Sequence, residues 1–313
     1  MLDVAVIIVS WNVRDYLVNC LRSVCKEAGH SGLNIEAWVV DNASTDGTIP
    51  YLESLFSQVH LIANEENVGF AAANNQGMDA AAEKEPRYFF LLNPDTIIRE
   101  GAIKQLVKFL DDRPNVGMAG TRLVYGDGRF QHSAFYFPGI TQLAFDLFPM
   151  PARFYESRWN GRYKPNQFRL SSKPFAIDHP LGASMMVRAS VAEATGGFDE
   201  SYHMYCEEID WSWRIQQGGW DIYAVPSAEI VHFGGESSKQ IPARTVVNLW
   251  RSRARLYDNH HGRWRQALAT KMVKMSMAKR AAKTDDPELK NAYKEVIKIW
   301  SNGRTDASAN EQT

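Results

Sequence analysis

Apolar residues fall along the first 125 positions in two alternating rhythms. Short continuous runs at Val4–Val9, Glu36–Val40, Val59–Ile62, Arg87–Leu92 and Gly117–Val124 have the length and β-branched or aromatic character of buried strands. Between them lie segments of helical period. Arg14–Ala28 places Leu17, Cys20, Leu21 and Val24 on one face, and Thr45 or Asp46 can cap a short helix running to Phe56. Val68–Ala82 is an alanine-rich helix and Gly101–Leu110 a further one. Continuous apolar strands need cover on both faces, so strands alternating with helices through short loops predict an α/β fold with a parallel sheet. In such a sheet ligands lie outside the carboxyl ends of the strands.

Residues 126–178 break this rhythm. They are rich in aromatics, proline and arginine, and read as a loop-rich insertion or flap. Order returns with a strand at Ala183–Val187, a helix from Cys206 to Gln217, and strands at Asp221–Val225 and Glu229–His232. Helices are expected over 243–300, and the polar residues from Asn302 onward are expected to be disordered. The pattern divides the chain into a body at 1–240, a helical extension at 241–300 and a tail at 301–313.

Composition changes the picture in one respect, the distribution of charge. The 313 residues are 45% hydrophobic and 23% charged, ordinary values that exclude a disordered chain, a collagen or a rod. Three cysteines without a CxxC pair exclude a disulfide framework and point to a reducing compartment. The first apolar run follows Asp3 with no basic flank and is expected to be a strand, not a signal peptide; no run approaches the roughly 20 apolar residues of a membrane span. The net charge of −1 hides a split: Arg244–Lys283 holds eleven Lys/Arg against Asp258, a charge of +10, leaving −11 on the rest. Leu268, Met272, Met275 and Ala282 are expected to share one face of this arm, flanked by Lys271, Lys274 and Lys283. An anionic surface is the implied partner, a membrane before nucleic acid; the bland alternative is a solvated helix packed on the body.

Candidate chemistry gathers at the strand ends. The first strand ends in Ser10-Trp11-Asn12 and the second in Asp41, whose carboxylate can accept hydrogen bonds from a base or ribose; Asp46 reads as a turn and cap residue. In Asn64–Gly77, Gly69 after Asn67 allows close backbone approach, and Asn74 and Asn75 set amides in the alanine helix. Leu91–Asp95, LLNPD, delivers Asn93 and Asp95 to the same edge, where a carboxylate can hold a hard divalent cation bridging a diphosphate. No GxGxxG follows the first strand and no Walker A sequence is present.

Two further clusters follow. In Cys206–Arg214, CEEIDWSWR, the acids suit a helix N-terminus, and their mutual repulsion can raise one pKa toward that of a general base. Asp210 and Arg214 are spaced to pair, while Trp211 and Trp213 read as core, with a wall for a sugar as the alternative. His232, followed by Phe233-Gly234-Gly235-Glu236-Ser237-Ser238, can complete a metal site or touch phosphate.

In this order and spacing, VIIVSWN, VVDNASTDGT, NVGFAAANNQG, LLNPD, GASMMVRASVAEATGGFDE, YCEEIDWSWR and VHFGGESS resemble glycosyltransferase family 2 over residues 4–238. The bacterial branch that includes rhamnosyltransferases of cell-wall and O-antigen assembly is the most similar. The resemblance implies a GT-A-type, Rossmann-like, mostly parallel sheet with helices on both faces, plus the C-terminal helical extension. Residues 1–240 would be catalytic, with a nucleotide-binding half at 1–125 and an acceptor-side half at 179–240. It implies inverting transfer from a nucleoside-diphosphate sugar, with dTDP-rhamnose expected, to a hydroxyl of a lipid-linked or polysaccharide acceptor.

By the same resemblance Ser10, Asn12, Asp41, Asn67, Gly69, Asn74 and Asn93 would line the donor site, with Gly182 and Ala183 beside the sugar. Asp95 corresponds to the last acid of a DxD-type motif whose first acid is Asn93 here, and would hold Mg²⁺ or Mn²⁺ with His232 as an added ligand. Glu208 stands where the family has its presumed base, with Glu207 the alternative. The expected setting is cytoplasmic, peripheral on the inner face of the plasma membrane, without nucleic acid; the C-terminal helices could instead form a homo-oligomer interface. The alternatives are another donor (a UDP-hexose or galactofuranose) and a non-catalytic membrane-surface binding protein.

Overall fold

The computed structural model describes residues 1–234 and 242–302; the Gly235–Ser238 end of the VHFGGESS segment and the expected tail from residue 303 lie outside the described residues. The first half follows the predicted alternation: β1 (Val4–Ser10), α1 (Arg14–Ser31), β2 (Ile35–Asp41), α2 (Thr48–Leu55), β3 (His60–Ala63), α3 (Phe70–Ala82), β4 (Tyr88–Leu92), β5 (Thr96–Ile98), α4 (Ala102–Asp111) and β6 (Val116–Val124). The insertion is more ordered than expected, with β7 (Phe130–Gln131), β8 (Ala134–Phe135), α5 (Ile140–Leu147), β9 (Phe175–Ala176) and β10 (His179–Pro180). There follow β11 (Ser184–Arg188), α6 (Ala189–Thr195), α7 (Glu207–Gln217), β12 (Asp221–His232), α8 (Pro242–His260), α9 (Arg263–Lys283) and α10 (Pro287–Ser301).

The main sheet runs β3-β2-β1-β4-β11-β6-β12-β5, with β7 on β6 and β9 on β12. The β1–β2, β2–β3, β1–β4 and β6–β12 pairs are parallel. The sheet is mixed, however: β11 runs antiparallel to both β4 and β6, and β5 is antiparallel to β12. The strands expected at Asp221–Val225 and Glu229–His232 form the single strand β12. Pro226, Ser227 and Ala228 are the extra residues between Val225, which faces Thr121, and Glu229, which faces Arg122. Pro226 has no N–H for the ladder, so the strand bulges there and resumes.

All seven residues of β1 are buried, and alternate side chains enter opposite layers. Val4, Val6 and Ile8 pack with Leu17 and Leu21 of α1 and Leu106 of α4. Ala5 and Ile7 pack with Ala71, Met78 and Ala81 of α3 and with Trp211 and Ile215 of α7. The alanine helix lies close to the sheet: a Cβ on Gly77 would stand 2.5 Å from the Ile7 Cγ2. A third core joins the C-terminal helices to α5, with Leu143 and Leu147 against Trp250, Tyr257, Val273 and Trp300.

The face expected for the arm is not the one buried. Helix α9 turns Ala269, Val273, Met277 and Ala281 inward, whereas Leu268 and Met275 are 40% and 57% exposed. Met272 is half-buried and Ala282 exposed. The small residues at 269 and 281 let α9 approach its neighbours closely, and the main neighbours are α10 and α5. The second of these lies in the insertion, more than a hundred residues away in sequence.

Candidate active site

The site is built along the carboxyl ends of β1, β2 and β4, with β11, β12 and the start of α7 closing it. Ser10 and Asp41 are register partners on β1 and β2, at 0% and 1% exposure. The Asp41 Oδ1 accepts from Ser44 N at 2.8 Å, but its Oδ2 and the Ser10 Oγ are buried without a partner. A buried carboxylate oxygen and hydroxyl left this way cost free energy that a donor-bearing ligand recovers. Asn12 staples two loops: its N donates to Ser44 Oγ at 2.9 Å and its Oδ1 accepts from Thr45 N at 2.7 Å, with φ at 53°. Asp46 is a turn residue, accepting from Arg14 N and Thr48 N, but the N-cap of α2 is Gly47 and not Thr45 or Asp46, because the left-handed φ of 79° there suits glycine. Ser44, which organises this corner, was not singled out in the sequence, because a serine in a turn has no distinguishing signal.

The next expected segment has a different partner from the one foreseen. Gly69 has φ at 94°, and a Cβ there would stand 2.6 Å from the carbonyl oxygen and Nδ1 of His203. Phe70 N donates to that same carbonyl at 2.7 Å. The close approach that Gly69 permits is thus made by His203, not by a ligand. Asn67 Oδ1 accepts from Gly69 N at 3.0 Å and fixes the turn. Asn74 is buried and donates to Phe70 O within its own helix at 2.9 Å. Asn75 reaches across to the segment after α6, where it both donates to and accepts from the Phe198 backbone.

At the centre, Asn93 N donates to Ala183 O at 2.9 Å, which joins β4 to the Gly182-Ala183 segment. The Asn93 Oδ1 is buried without a partner. Asp95, 5% exposed, accepts from Gly234 N at 3.1 Å, and its Oδ1 lies 3.4 Å from the Nε2 of His232. The other ring nitrogen of His232 is 3.1 Å from Gln131 Oε1 on β7. When that nitrogen donates to Gln131, Nε2 turns a lone pair toward the carboxylate, an arrangement that suits a cation between them. The residues therefore fit a divalent cation, although among the described residues no cluster of three or more His, Cys, Asp or Glu could hold one unaided. Remaining ligands would have to come from a substrate or from Asn93.

Helix α7 begins from two consecutive left-handed residues, Tyr205 and Cys206, with φ at 72° and 68°. Such strain in non-glycine residues is stored where the fold over-determines it, frequently at functional sites. It turns Glu207 and Glu208 into the first helical turn. Glu207 is buried with Oε2 unpartnered, and burial together with the adjacent Glu208 pushes its carboxyl well above the ordinary range. Glu208 is half-buried and lies against Gly182, where an added Cβ would meet its side chain at 3.5 Å. Burial pushes its carboxyl up to about 7, opposed by backbone N–H groups of the first turn. Gly182 and Glu208 are thus brought together from 26 positions apart in sequence.

Asp210 pairs with Arg214 at 2.8 Å, the spacing anticipated, and also with His260 of α8 at 2.7 Å, which was not. Trp211 is fully buried and donates to Thr195 Oγ1 at 2.7 Å. Trp213 is stacked between Phe137 and His260, with centroids at 3.9 and 4.4 Å. Both its faces are covered, so it cannot wall a sugar.

The sheet order and its two helical layers define the GT-A class of glycosyltransferase folds. Among solved structures, GalNAc-T7 crystallised with UDP, GalNAc and Mn²⁺ superposes with a TM-score of 0.60 at 15% identity, over 96% of this chain and 56% of that one. Residues 1–349 of S. aureus TarS superpose with a TM-score of 0.53 at 14% identity, over 96% of this chain and 89% of that one. The profile of Glycosyl transferase family 2 matches residues 5–192, and the chain belongs to that family. It is 29% identical over 243 residues to the N-acetylglucosaminyl-diphospho-decaprenol L-rhamnosyltransferase of Mycobacterium tuberculosis, covering 75% of this chain and 78% of that one. It is 25% identical over 239 residues to the dTDP-rhamnosyl transferase RfbF of Shigella flexneri, covering 76% and 72% respectively.

Proposed function

We propose that this family 2 glycosyltransferase is an inverting enzyme that moves rhamnose from dTDP-rhamnose to a hydroxyl of a lipid-linked saccharide. The observation that carries the reading is the line of buried polar atoms without partners along one sheet edge. Ser10 Oγ, Asp41 Oδ2, Asn93 Oδ1 and His232 Nε2 belong to it, and Ser184 Oγ lies at the same edge because β11 runs antiparallel to β4. Folded chains leave few such atoms, and a row of them at the carboxyl ends of the strands suits an extended polar ligand such as a nucleoside-diphosphate sugar. The choice of rhamnose and of a lipid-linked acceptor is supported by the names of the relatives above.

In this reading Ser10 and Asp41 take the nucleoside, and Asn93 and the Gly182-Ala183 backbone flank the diphosphate and sugar. Glu208 takes the proton from the acceptor hydroxyl; that oxygen forms the new bond to the anomeric carbon as the bond to the nucleoside diphosphate breaks on the opposite face. Glu208 suits this task better than Glu207, because it is only partly buried and lies against Gly182, whereas Glu207 is buried. Bound by Asp95 and His232, Mg²⁺ or Mn²⁺ would offset negative charge on the departing diphosphate. A lipid-linked acceptor sets the reaction at a membrane surface, and an activated cytoplasmic donor sets it on the inner face.

The test is calorimetric titration of dTDP, UDP and GDP, each with and without Mn²⁺, into the wild-type chain and Asp95→Ala. Metal-dependent binding of dTDP alone, lost in the variant, is the expected result. Preference for UDP would replace the rhamnose donor with a UDP-hexose or galactofuranose. Absence of binding by all three, in a folded protein, would overturn the transferase reading in favour of a binding protein.

A further inference from the structure

Among the described residues, large apolar side chains exposed to solvent are few, and most of them fall on two segments. Trp264, Leu268 and Met275 are 66%, 40% and 57% exposed on α9, while Tyr155, Trp159 and Leu170 are 36%, 64% and 54% exposed in the insertion. The α9 residues lie at helical spacing opposite the buried Ala269, Val273 and Met277, so they form one outward stripe. Lys271, Lys274 and Lys279 are exposed beside that stripe. The insertion repeats the chemistry: residues 152–173 carry six Lys/Arg against Glu156 alone.

The two segments are joined by α5. Ser276 Oγ and Arg280 of α9 donate to the carbonyls of Leu147 and Asp146 at 3.0 and 2.8 Å. On the other side Phe145 packs edge-on against Tyr155, with centroids at 5.6 Å. An aromatic residue and aliphatic side chains along one exposed line, edged by lysines, suit the boundary between headgroups and acyl chains. No helix among the described residues is long and apolar enough to cross a membrane.

We infer that the outward stripe of α9 and the 152–173 segment form one composite surface that docks on an anionic phospholipid bilayer, with Trp264, Met275 and Trp159 entering the headgroup layer. The surface extends the lipid-linked-acceptor reading and rests on it for its purpose, but its physical basis is charge and exposure alone.

The test is flotation of the full chain with phosphatidylcholine vesicles, with and without phosphatidylglycerol. Wild type, Lys271→Glu, Lys274→Glu, Trp264→Ser with Met275→Ser, and Trp159→Ser are compared, with dTDP binding and sedimentation velocity measured on each. Binding is expected to the anionic vesicles only and to weaken with salt. Loss of one lysine near the surface is expected to weaken it by about fivefold, and charge reversal by more. The two apolar variants are also expected to weaken it, while nucleotide binding stays intact in every variant. A wild type that binds dTDP but ignores anionic vesicles would overturn the surface and spare the transferase reading; vesicle binding without nucleotide binding would do the reverse. Unchanged flotation of the variants, or a dimer that the same variants dissociate, would also overturn it.

Discussion

Glu208 carries a carboxyl pushed up to about 7 by burial, and in the proposed mechanism it must be ionised to take a proton. The rate is therefore expected to rise with pH through that value and to level above it, since below it the base is already protonated. Replacing Glu208 with Gln is expected to lower the turnover rate by about 10²- to 10⁴-fold, with nucleotide affinity preserved. Steady-state rates measured across pH check both, and a flat profile in the wild type would refute the assignment. At the other end of the site, Asp41→Asn keeps an oxygen for Ser44 N but replaces the unpartnered carboxylate oxygen with an N–H donor. About a tenfold or greater loss of nucleotide affinity is expected, with no fall in Tm, because the charge that is removed has no partner for that oxygen in the fold. Titration calorimetry beside a thermal melt separates these effects.

Elements in this fold are held at their entries and junctions. Gly69 opens α3 where φ is positive and where His203 leaves no room for a side chain. Gly69→Ala combines backbone strain with that collision and is expected to cost at least about 1–3 kcal/mol, read as a lowered denaturant midpoint. The α7–α8 junction depends on Asp210, which bridges Arg214 and His260 in a largely buried place. Asp210→Ala removes the acceptor of the His260 ring and of the Arg214 Nε, while Arg214 keeps the carbonyls of Thr195 and Gly197, and is expected to cost about 1–3 kcal/mol. Burial alone would raise the Asp210 carboxyl, but the bonds from His260 and Arg214 outweigh it and hold it below the ordinary value. Its contribution is therefore present above the unfolded carboxylate pKa of about 3.9 and is lost as pH falls through the lower folded value. Acid melts of wild type and Asp210→Asn are expected to converge in that range.

For the molecule as a whole, the C-terminal helices are structural partners of the body. They cover Leu143 and Leu147 of α5, and α8 meets the 202–206 turn through Leu256 and through Ser252, which donates to Met204 O at 2.7 Å. A chain ending at residue 241 would expose this apolar core beside the turn that aims Glu207 and Glu208. It is expected to aggregate or to lose the cooperative thermal transition of the full chain, as calorimetry would show; a well-folded, active truncation would refute this. The strand–helix alternation was legible because each element carries its own hydrophobic period, which needs no knowledge of distant residues. The placement of Ser10 and Asp41 at the ends of β1 and β2, and of Asn93 and Asp95 just beyond β4, was legible for a related reason: such positions lie at the carboxyl edge of the parallel strands whatever the detailed packing. Other features had no such local mark. His203 against Gly69, His260 against Asp210 and α5 against α9 join segments between fifty and more than a hundred residues apart, and no periodicity encodes a partner. The sequence alone thus determined the elements, the α/β layering and the edge where polar residues collect, because these follow from short-range pattern and the twist of parallel strands. Only the tertiary structure decided which face of α9 is buried, that β11 runs antiparallel, and that Glu208 meets Gly182, because those depend on long-range contacts that form only when the chain has closed on itself.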